Sequence, residues 1–297
     1  MDVCVIGAGS MGHGIAQVSA MAGHAVRLND VDRERIDEAL GSIEANLDGG
    51  VDRGKVTAAQ REATLERIEG VVDLEAAVEG ADLVVEAVPE DLELKKRVFR
   101  DVETAAADEA IIATNTSSLS VTDLASALDR PGRAVGLHFF NPPHIMDLVE
   151  VVVAEQTDGT VEETAVEYVE GIEKEPVVVR DTPGFASSRL GVALGLEAIR
   201  MVEAGVAGVE DIDVAMSLGY NHPMGPLELT DHVGLDVRLG VAEYLREELG
   251  ERFRPPQLLK RKVRAGKLGR KTGEGFYVWE DGEPVAVSPG TGSDADG

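Results

Sequence analysis

The segment VCVIGAGSMGHGIAQVSAMAGHAVRLND, residues 3–30, carries the strongest signal for the architecture of the chain. A short apolar run leads into Gly7, Gly9 and Gly12, which have G-x-G-x-x-G spacing, and residues of helical period follow them. In such a unit the first glycine makes a tight turn, the second leaves room for a pyrophosphate, and the third lets helix and strand pack closely. Because the glycines lie between a strand and a helix, the segment predicts a dinucleotide site and not a turn without function.

A second apolar strand closes on Asp30, about twenty residues after the glycines, as this motif requires. A carboxylate there accepts hydrogen bonds from the adenosine ribose and repels a 2′-phosphate, so it favours NAD over NADP. The nearby Arg33 leaves the alternative open, since an arginine can accept that phosphate.

Strands and helices continue to alternate as far as residue 139, which predicts an α/β fold with a mainly parallel sheet. We expect a Rossmann-type, doubly wound N-terminal domain over residues 1–182. Three polar clusters follow predicted strands, at residues 86–90, 115–118 and 138–141. Because ligands bind beyond the carboxyl ends of strands in such sheets, these clusters predict an active site at one edge.

The pattern changes after Thr182, Pro183 and Gly184, which resemble a hinge. Residues 183–282 predict an all-α C-terminal domain whose broad apolar helix faces favour a homodimer. The polar segment 283–297 is expected to be a disordered tail.

The composition narrows the class of partner. The chain has 55 acidic and 28 basic residues among 297, a net charge of −27, which excludes nucleic acid and anionic membranes as partners. The dispersed acidic residues favour adaptation to high salt over an ordinary acidic cytosolic protein. We expect a cytoplasmic protein, since neither a signal peptide nor a membrane-spanning run is present. No cluster has metal-ligand spacing.

The segment GLHFFNPPHIMDLVEVVV, residues 136–153, places His138 and Glu150 within apolar runs. Two strands flanking NPPHIMDL would bring both side chains together. A histidine whose second ring nitrogen is hydrogen-bonded to a carboxylate is suited to remove a proton as a general base. The alternative is a structural histidine at a strand end and a glutamate paired with an arginine.

The chain resembles the L-3-hydroxyacyl-CoA dehydrogenases, which include the 3-hydroxybutyryl-CoA dehydrogenases. The matching motifs run in order to about residue 279 and are IGAGSMGHGIA, VVEAVPEDLELKK, ATNTSSLSV, GLHFFNPPHIMDLVEVV, HPMGPLELTDHVGLD and GKLGRKTGEGFY. The resemblance implies an NAD domain, a helical dimerisation domain, an active site between them, and reversible oxidation of an (S)-3-hydroxyacyl-CoA thioester with NAD.

The resemblance also implies roles for single residues. His138 corresponds to the catalytic base, Glu150 to its partner, and Ser117 to a serine that contacts the substrate. Positions around the nicotinamide and its ribose correspond to Glu90, Lys95, Asn115 and Asn141, a cofactor-reaching lysine to Lys271, and CoA-contacting positions to Asn46 and Arg53.

One position departs from the family pattern. The segment G-F-x-x-N-R-L reads GFASSRL here, so Ser188 replaces an asparagine that helps to hold the substrate and the histidine. Two other functions stay open: a non-catalytic NAD-binding relative, and a dehydrogenase of a free β-hydroxy acid.

Overall fold

The computed structural model describes residues 1–289. The chain folds as two units, Met1–Phe185 and a second that begins at Ala186. The first unit contains one eight-stranded sheet. Its strands are β1 (Asp2–Ile6), β2 (Ala25–Asn29), β3 (Ile68–Val71), β4 (Leu83–Glu86), β5 (Ile111–Thr114), β6 (Ala134–Phe139), β7 (Leu148–Val153) and β8 (Glu175–Arg180).

The strand order is β3-β2-β1-β4-β5-β6-β7-β8. All neighbours are parallel except β6 and β7, which are antiparallel. This order confirms the Rossmann-type fold, with its topological switch point between β1 and β4. The sequence pattern did not predict β3 or β8. Both are edge strands with partly exposed residues, so neither carries the continuous apolar run of the central strands.

Alternate strand residues contribute to two hydrophobic cores, one on each face of the sheet. Val3 and Val5 pack in one core and Cys4 and Ile6 in the other. The helices that cover these faces are α1 (Ser10–Met21), α2 (Arg33–Asp52), α3 (Ala58–Glu66), α4 (Leu74–Val78), α5 (Leu92–Ala105), α6 (Val121–Ala125) and α7 (Gly159–Gly171). Burial raises the pKa of the Cys4 thiol to about 12, as expected of a core cysteine.

The second unit confirms the predicted helical domain. Its helices, packed around a third core, are α8 (Ser187–Glu203), α9 (Val209–Gly219), α10 (Pro226–Val233), α11 (Leu235–Leu249) and α12 (Gln257–Arg264). Within residues 1–289, no helix is both long enough and apolar enough to cross a bilayer.

Two predictions for this region need correction. The domain is not purely α-helical, because β9 (Tyr277–Glu280) and β10 (Glu283–Val287) form an antiparallel hairpin. The segment from residue 283 was expected to be disordered, but it begins with β10, and Ser288 after it is buried. Residues 290–297 of that predicted tail lie outside the described residues.

The hairpin is held by Asp231, a fully buried residue of α10. Its carboxylate accepts hydrogen bonds from the backbone N–H groups of Phe276 and Tyr277, at 2.8 and 2.9 Å, and from Nε1 of Trp279, at 2.8 Å. The acceptor lies more than forty residues away from these donors. A local sequence pattern therefore contains no sign of this interaction.

We expect Asp231→Ala to lower the free energy of unfolding by about 3 kcal/mol or more, since buried donors without acceptors cost roughly 1–3 kcal/mol each. Trp279 is the single tryptophan of the chain, so urea titration at fixed salt, followed by its fluorescence, measures the change. The exposed Glu248 supplies a control: Glu248→Ala should stay within about 0.5 kcal/mol of the wild type. Equal stabilities for the two variants would contradict this account.

Candidate active site

The glycine loop after β1 has the geometry that a pyrophosphate requires. Gly7 has φ +100°, and a Cβ there would lie 2.7 Å from the carbonyl oxygen of Ala87. A Cβ at Gly12 would collide with the Gly7 carbonyl. Gly9, in contrast, has open space on its Cβ side. Two glycines therefore allow the tight packing of the loop, while Gly9 leaves room for a ligand at the start of α1.

Asp30 follows β2 and is buried. Its Oδ2 accepts a hydrogen bond from the Ala8 N–H at 2.9 Å, so this carboxylate also fixes the glycine loop. A carboxylate offers about four acceptor positions, which leaves capacity for ribose hydroxyls. The first turn of α1 contains no acidic residue, and no side chain caps its N-terminus. These features suit an NAD pyrophosphate on the helix amides.

Glu90 organises the loop that follows β5. Its Oε1 accepts hydrogen bonds from the Thr116 hydroxyl, from the Ser117 N–H at 3.1 Å, and from the hydroxyl of Ser118 at 3.1 Å. Burial acts to raise the pKa of Glu90, but the Lys95 charge and these hydrogen bonds outweigh it and hold the pKa below its ordinary value. The carboxylate is therefore ionised, and it joins the ends of β4 and β5.

The family resemblance places Lys95 around the nicotinamide. In the structure its ammonium group is buried instead of exposed at the sheet edge. The side chain is 1% exposed. Its Nζ lies 2.7 Å from Oε1 of Glu86 and 3.4 Å from Oε2 of Glu90, and it donates to the Val88 carbonyl at 3.2 Å. Burial raises the pKa of Glu86, against the opposing effect of Lys95. In this arrangement the buried Lys95 ammonium orients the Glu90 carboxylate through their ion pair.

Two asparagines border the same edge. Oδ1 of Asn115 accepts a hydrogen bond from the Phe139 N–H at 2.9 Å and so ties the end of β5 to the end of β6. Asn141 is exposed in the loop after β6, before a cis peptide bond to Pro142. The next residue, Pro143, packs on α1, where a Cβ at Gly14 would lie 2.7 Å from the proline Cδ. Sequence reasoning missed Gly14, although it follows the glycine motif by two residues.

His138 and Glu150 lie directly opposite each other on the antiparallel strands β6 and β7. The His138 Nδ1 is 2.8 Å from Oε2 of Glu150, and the two residues are 6% and 1% exposed. The imidazole also contacts the rings of Phe140 and Phe185, with centroids 4.6 and 5.7 Å away. The pairing expected from the sequence is present. The aromatic surroundings shield the pair from water and strengthen its electrostatic interaction.

The remaining predicted site residues lie in or just after α2 of the first unit, or belong to the second unit. In α2, Asn46 donates a hydrogen bond to Oε1 of Gln17 at 3.2 Å, and Arg53 follows the end of that helix. In the second unit, Ser188 lies in the first turn of α8. The Lys271 ammonium contacts the Asp236 carboxylate, at 2.6 Å from Oδ1 and 2.7 Å from Oδ2.

No group of three or more histidine, cysteine, aspartate or glutamate side chains in residues 1–289 is arranged to hold a metal ion. The sheet edge brings together the His138 imidazole, carboxylates and hydroxyl groups beside the glycine loop.

Two family models cover the chain: the 3-hydroxyacyl-CoA dehydrogenase NAD binding domain matches residues 2–182, and the C-terminal domain of the same family matches residues 184–279. The chain belongs to the 3-hydroxyacyl-CoA dehydrogenase family. These matches confirm the resemblance and the NAD cofactor.

Individual members of the 3-hydroxyacyl-CoA dehydrogenase family agree with this assignment. A 3-hydroxybutyryl-CoA dehydrogenase of Bradyrhizobium diazoefficiens is 43% identical over 284 residues, which cover 95% of this chain and 97% of the relative. A 3-hydroxyadipyl-CoA dehydrogenase of Escherichia coli is 42% identical, over 93% of this chain and 58% of its own length. The crystal structure of an (S)-3-hydroxybutyryl-CoA dehydrogenase from Ralstonia eutropha superposes with a TM-score of 0.91 at 37% identity, over 94% and 99% of the two chains.

Asp30 gives a test of cofactor choice. Asp30→Ala should weaken the binding of NAD and reduce the preference of the enzyme for NAD over NADP. The substitution removes both an acceptor for the ribose hydroxyls and the repulsion of the 2′-phosphate. The matched variant Asp30→Asn keeps an oxygen that can accept the Ala8 N–H and removes only the charge. It should therefore improve kcat/KM with NADPH, and it should lower kcat/KM with NADH less than Asp30→Ala does. Steady-state kcat/KM for NADH and NADPH measures both effects. A wild-type enzyme that prefers NADPH would overturn the interpretation.

Proposed function

We propose that this protein catalyses the reversible, NAD-dependent oxidation of (S)-3-hydroxyacyl-CoA thioesters to 3-oxoacyl-CoA thioesters, with His138 as the general base. The observation that carries the proposal is the buried His138–Glu150 pair at the sheet edge that also holds the dinucleotide loop. An acid–base pair and a hydride acceptor are the two components that alcohol oxidation requires.

The geometry of the pair assigns a task to each ring nitrogen of His138. Glu150 accepts a hydrogen bond from Nδ1–H, which leaves the lone pair on Nε2 to accept the proton of the substrate hydroxyl. The carboxylate then stabilises the imidazolium, as in hydrolase triads. In the reverse reaction the imidazolium returns this proton to the oxygen. The nicotinamide, when bound, accepts the hydride from the hydroxyl-bearing carbon.

The polar residues around the pair complete the site. Ser117 and Asn141 are exposed near the ends of β5 and β6, where they suit contacts with the substrate and the nicotinamide ribose. Glu90 and Asn115 hold these two loops in place. From the family resemblance we assign Ser188 to the substrate and Lys271 to the cofactor.

The phosphate groups of CoA are bound by cations. The first unit has a basic cluster, although the chain as a whole is strongly negative. Burial and the charges of His13, Lys174 and Arg53 lower the pKa of His144, so this imidazole is neutral and the positive charge near it comes from Lys174 and Arg53. Such a cluster suits the phosphates of CoA. Asn46 and Arg53, both in or after α2, extend this proposed CoA surface.

The two competing functions separate in a simple assay. Acetoacetyl-CoA with NADH should give a fall in NADH absorbance, and a non-catalytic NAD-binding protein would give none. Activity on unesterified acetoacetate at a similar rate would favour a dehydrogenase of free β-hydroxy acids. Since relatives are named for 3-hydroxybutyryl-CoA and for 3-hydroxyadipyl-CoA, membership in the family leaves the acyl group open.

His138→Gln should lower kcat by about 10²–10⁴-fold, the usual contribution of a positioned base, with little change in NADH affinity. Glu150→Gln keeps the shape of the partner but removes its charge, so it should reduce kcat less and shift the pH–rate profile. Stopped-flow turnover and NADH fluorescence titration measure these effects. His222→Gln serves as the control and should retain wild-type turnover. A His138→Gln variant with normal kcat would refute the mechanism.

We further propose adaptation to high salt and assembly as a homodimer. Within residues 1–289 only five acidic side chains are buried, so nearly all of the negative charge is at the surface. The second unit also exposes large apolar side chains, of which Leu218 and Tyr220 are 83% and 75% exposed. Helix faces of this kind commonly pack against a second copy.

Thermal stability and activity should both rise between 0.1 M and molar KCl. At molar salt the Debye length falls to about 3 Å, which screens the repulsion among surface carboxylates. Differential scanning fluorimetry and light scattering over this series measure the melting temperature and the molecular mass. A melting temperature that does not depend on salt would refute the adaptation, and a monomer at every concentration would refute the dimer.

A further inference from the structure

Four lysine and arginine side chains are buried in the part of the chain that the structure describes: Lys95, Arg133, Arg238 and Lys262. Three of them have carboxylate or carbonyl oxygens within hydrogen-bonding distance. Arg238 has no such partner among residues 1–289, and its buried Nε donates to nothing there. A buried cation without an acceptor is a feature that native structures tolerate rarely, and usually at functional sites.

The position of Arg238 in its helix adds to this problem. It lies in the first turn of α11, where the helix dipole is positive and disfavours a cation. Burial lowers its pKa to about 10, and no acid among residues 1–289 opposes that effect. The side chain is only 5% exposed, and its Nε is buried without an acceptor among residues 1–289. A bound anion would compensate the buried charge of Arg238 and would also interact favourably with the positive end of the α11 dipole.

The guanidinium lies along α8, against two glycines. A Cβ at Gly195 would lie 3.5 Å from Nε of Arg238, and a Cβ at Gly191 would lie 3.5 Å from Nη1. The side chain therefore extends from Gly195 towards Gly191, in the direction of the N-terminus of α8. Ser188 lies three residues before Gly191 on the same helix face, about 4.5 Å along the axis.

We propose that Arg238 binds a carboxylate at the far end of the acyl chain, so that the substrate is a short 3-hydroxyacyl-CoA with a terminal carboxylate. The inference rests on the proposed function, in which Ser188 contacts the substrate. A planar guanidinium can bind a carboxylate through two parallel hydrogen bonds, which makes it a specific receptor for this group. Nη1 of Arg238 lies beside Gly191, and Ser188 precedes Gly191 by about 4.5 Å along the helix axis, so a chain of a few methylenes would span the two side chains.

The test uses 3-oxohexanoyl-CoA and 3-oxoadipyl-CoA, which have the same chain length and differ by the terminal carboxylate. With NADH at fixed salt, the wild type should have the higher kcat/KM for 3-oxoadipyl-CoA. Arg238→Met should reduce that value by about 10- to 100-fold, the effect of losing hydrogen bonds to a charged group, and leave 3-oxohexanoyl-CoA unchanged. Arg238→Lys should retain part of the preference.

The matched control is Arg246→Met, which removes a cation from the same helix where the arginine already contacts Glu251. It should preserve the wild-type ratio of the two substrates. Arg238→Met should also melt no lower than the wild type, because removal of an unpaired buried charge is neutral or stabilising. If that variant does not fold, competitive inhibition of the wild type by adipyl-CoA and hexanoyl-CoA supplies the comparison, with adipyl-CoA expected to bind more tightly.

The outcomes separate this inference from the proposed function. Inactivity of the wild type on both thioesters would refute the proposed function itself. Activity without a preference for the carboxylate, in turnover or in inhibition, would overturn only the role of Arg238. The same is true if Arg238→Met changes the molecular mass in light scattering and leaves the substrate ratio unaltered, since the carboxylate would then come from a second copy of the chain.

Discussion

The antiparallel pairing of β6 and β7 is the constraint on which the site depends. Every other pair of neighbours in the sheet is parallel. The chain reverses direction at residues 140–147, so β6 ends and β7 begins at the ligand edge. The side chains of directly paired residues lie on the same face of the sheet, so the Glu150 carboxylate lies beside the His138 imidazole. A slip of one residue in this register would turn the carboxylate to the other face of the sheet and leave the imidazole without its partner.

The rest of the edge is fixed by buried polar contacts rather than by packing alone. Lys95 and Glu86 are both almost fully buried, and their ion pair supports Glu90 from below. Glu90 in turn holds Thr116, Ser117 and the residue after them. Such a network is costly to bury, and removal of one member leaves the others unsatisfied. The positions of the exposed ligand-binding groups therefore follow from residues that need not contact a ligand.

Charge is distributed unequally between the surface and the interior. The surface carries nearly all of the excess acid, whereas Arg238 in the second unit is a buried cation without an acceptor among residues 1–289. Asp213 and Asp231 are buried there as well, but each accepts hydrogen bonds from several N–H or O–H donors. The comparison separates buried charges that hold the fold together from one that we assign to a ligand.

The amino-acid sequence was sufficient to predict the dinucleotide unit, the parallel central strands and the helical second unit, because these depend on local signals. Glycine spacing, continuous apolar runs and helical periodicity are properties of contiguous residues. It also indicated that His138 and Glu150 pair, since twelve residues around a loop define an antiparallel return. The edge strands β3 and β8, the β9–β10 hairpin, the burial of Lys95 and the lack of an acceptor for Arg238 among residues 1–289 became evident only in the folded chain. Each of these depends on a partner distant in sequence, or on the lack of one, which no local pattern records.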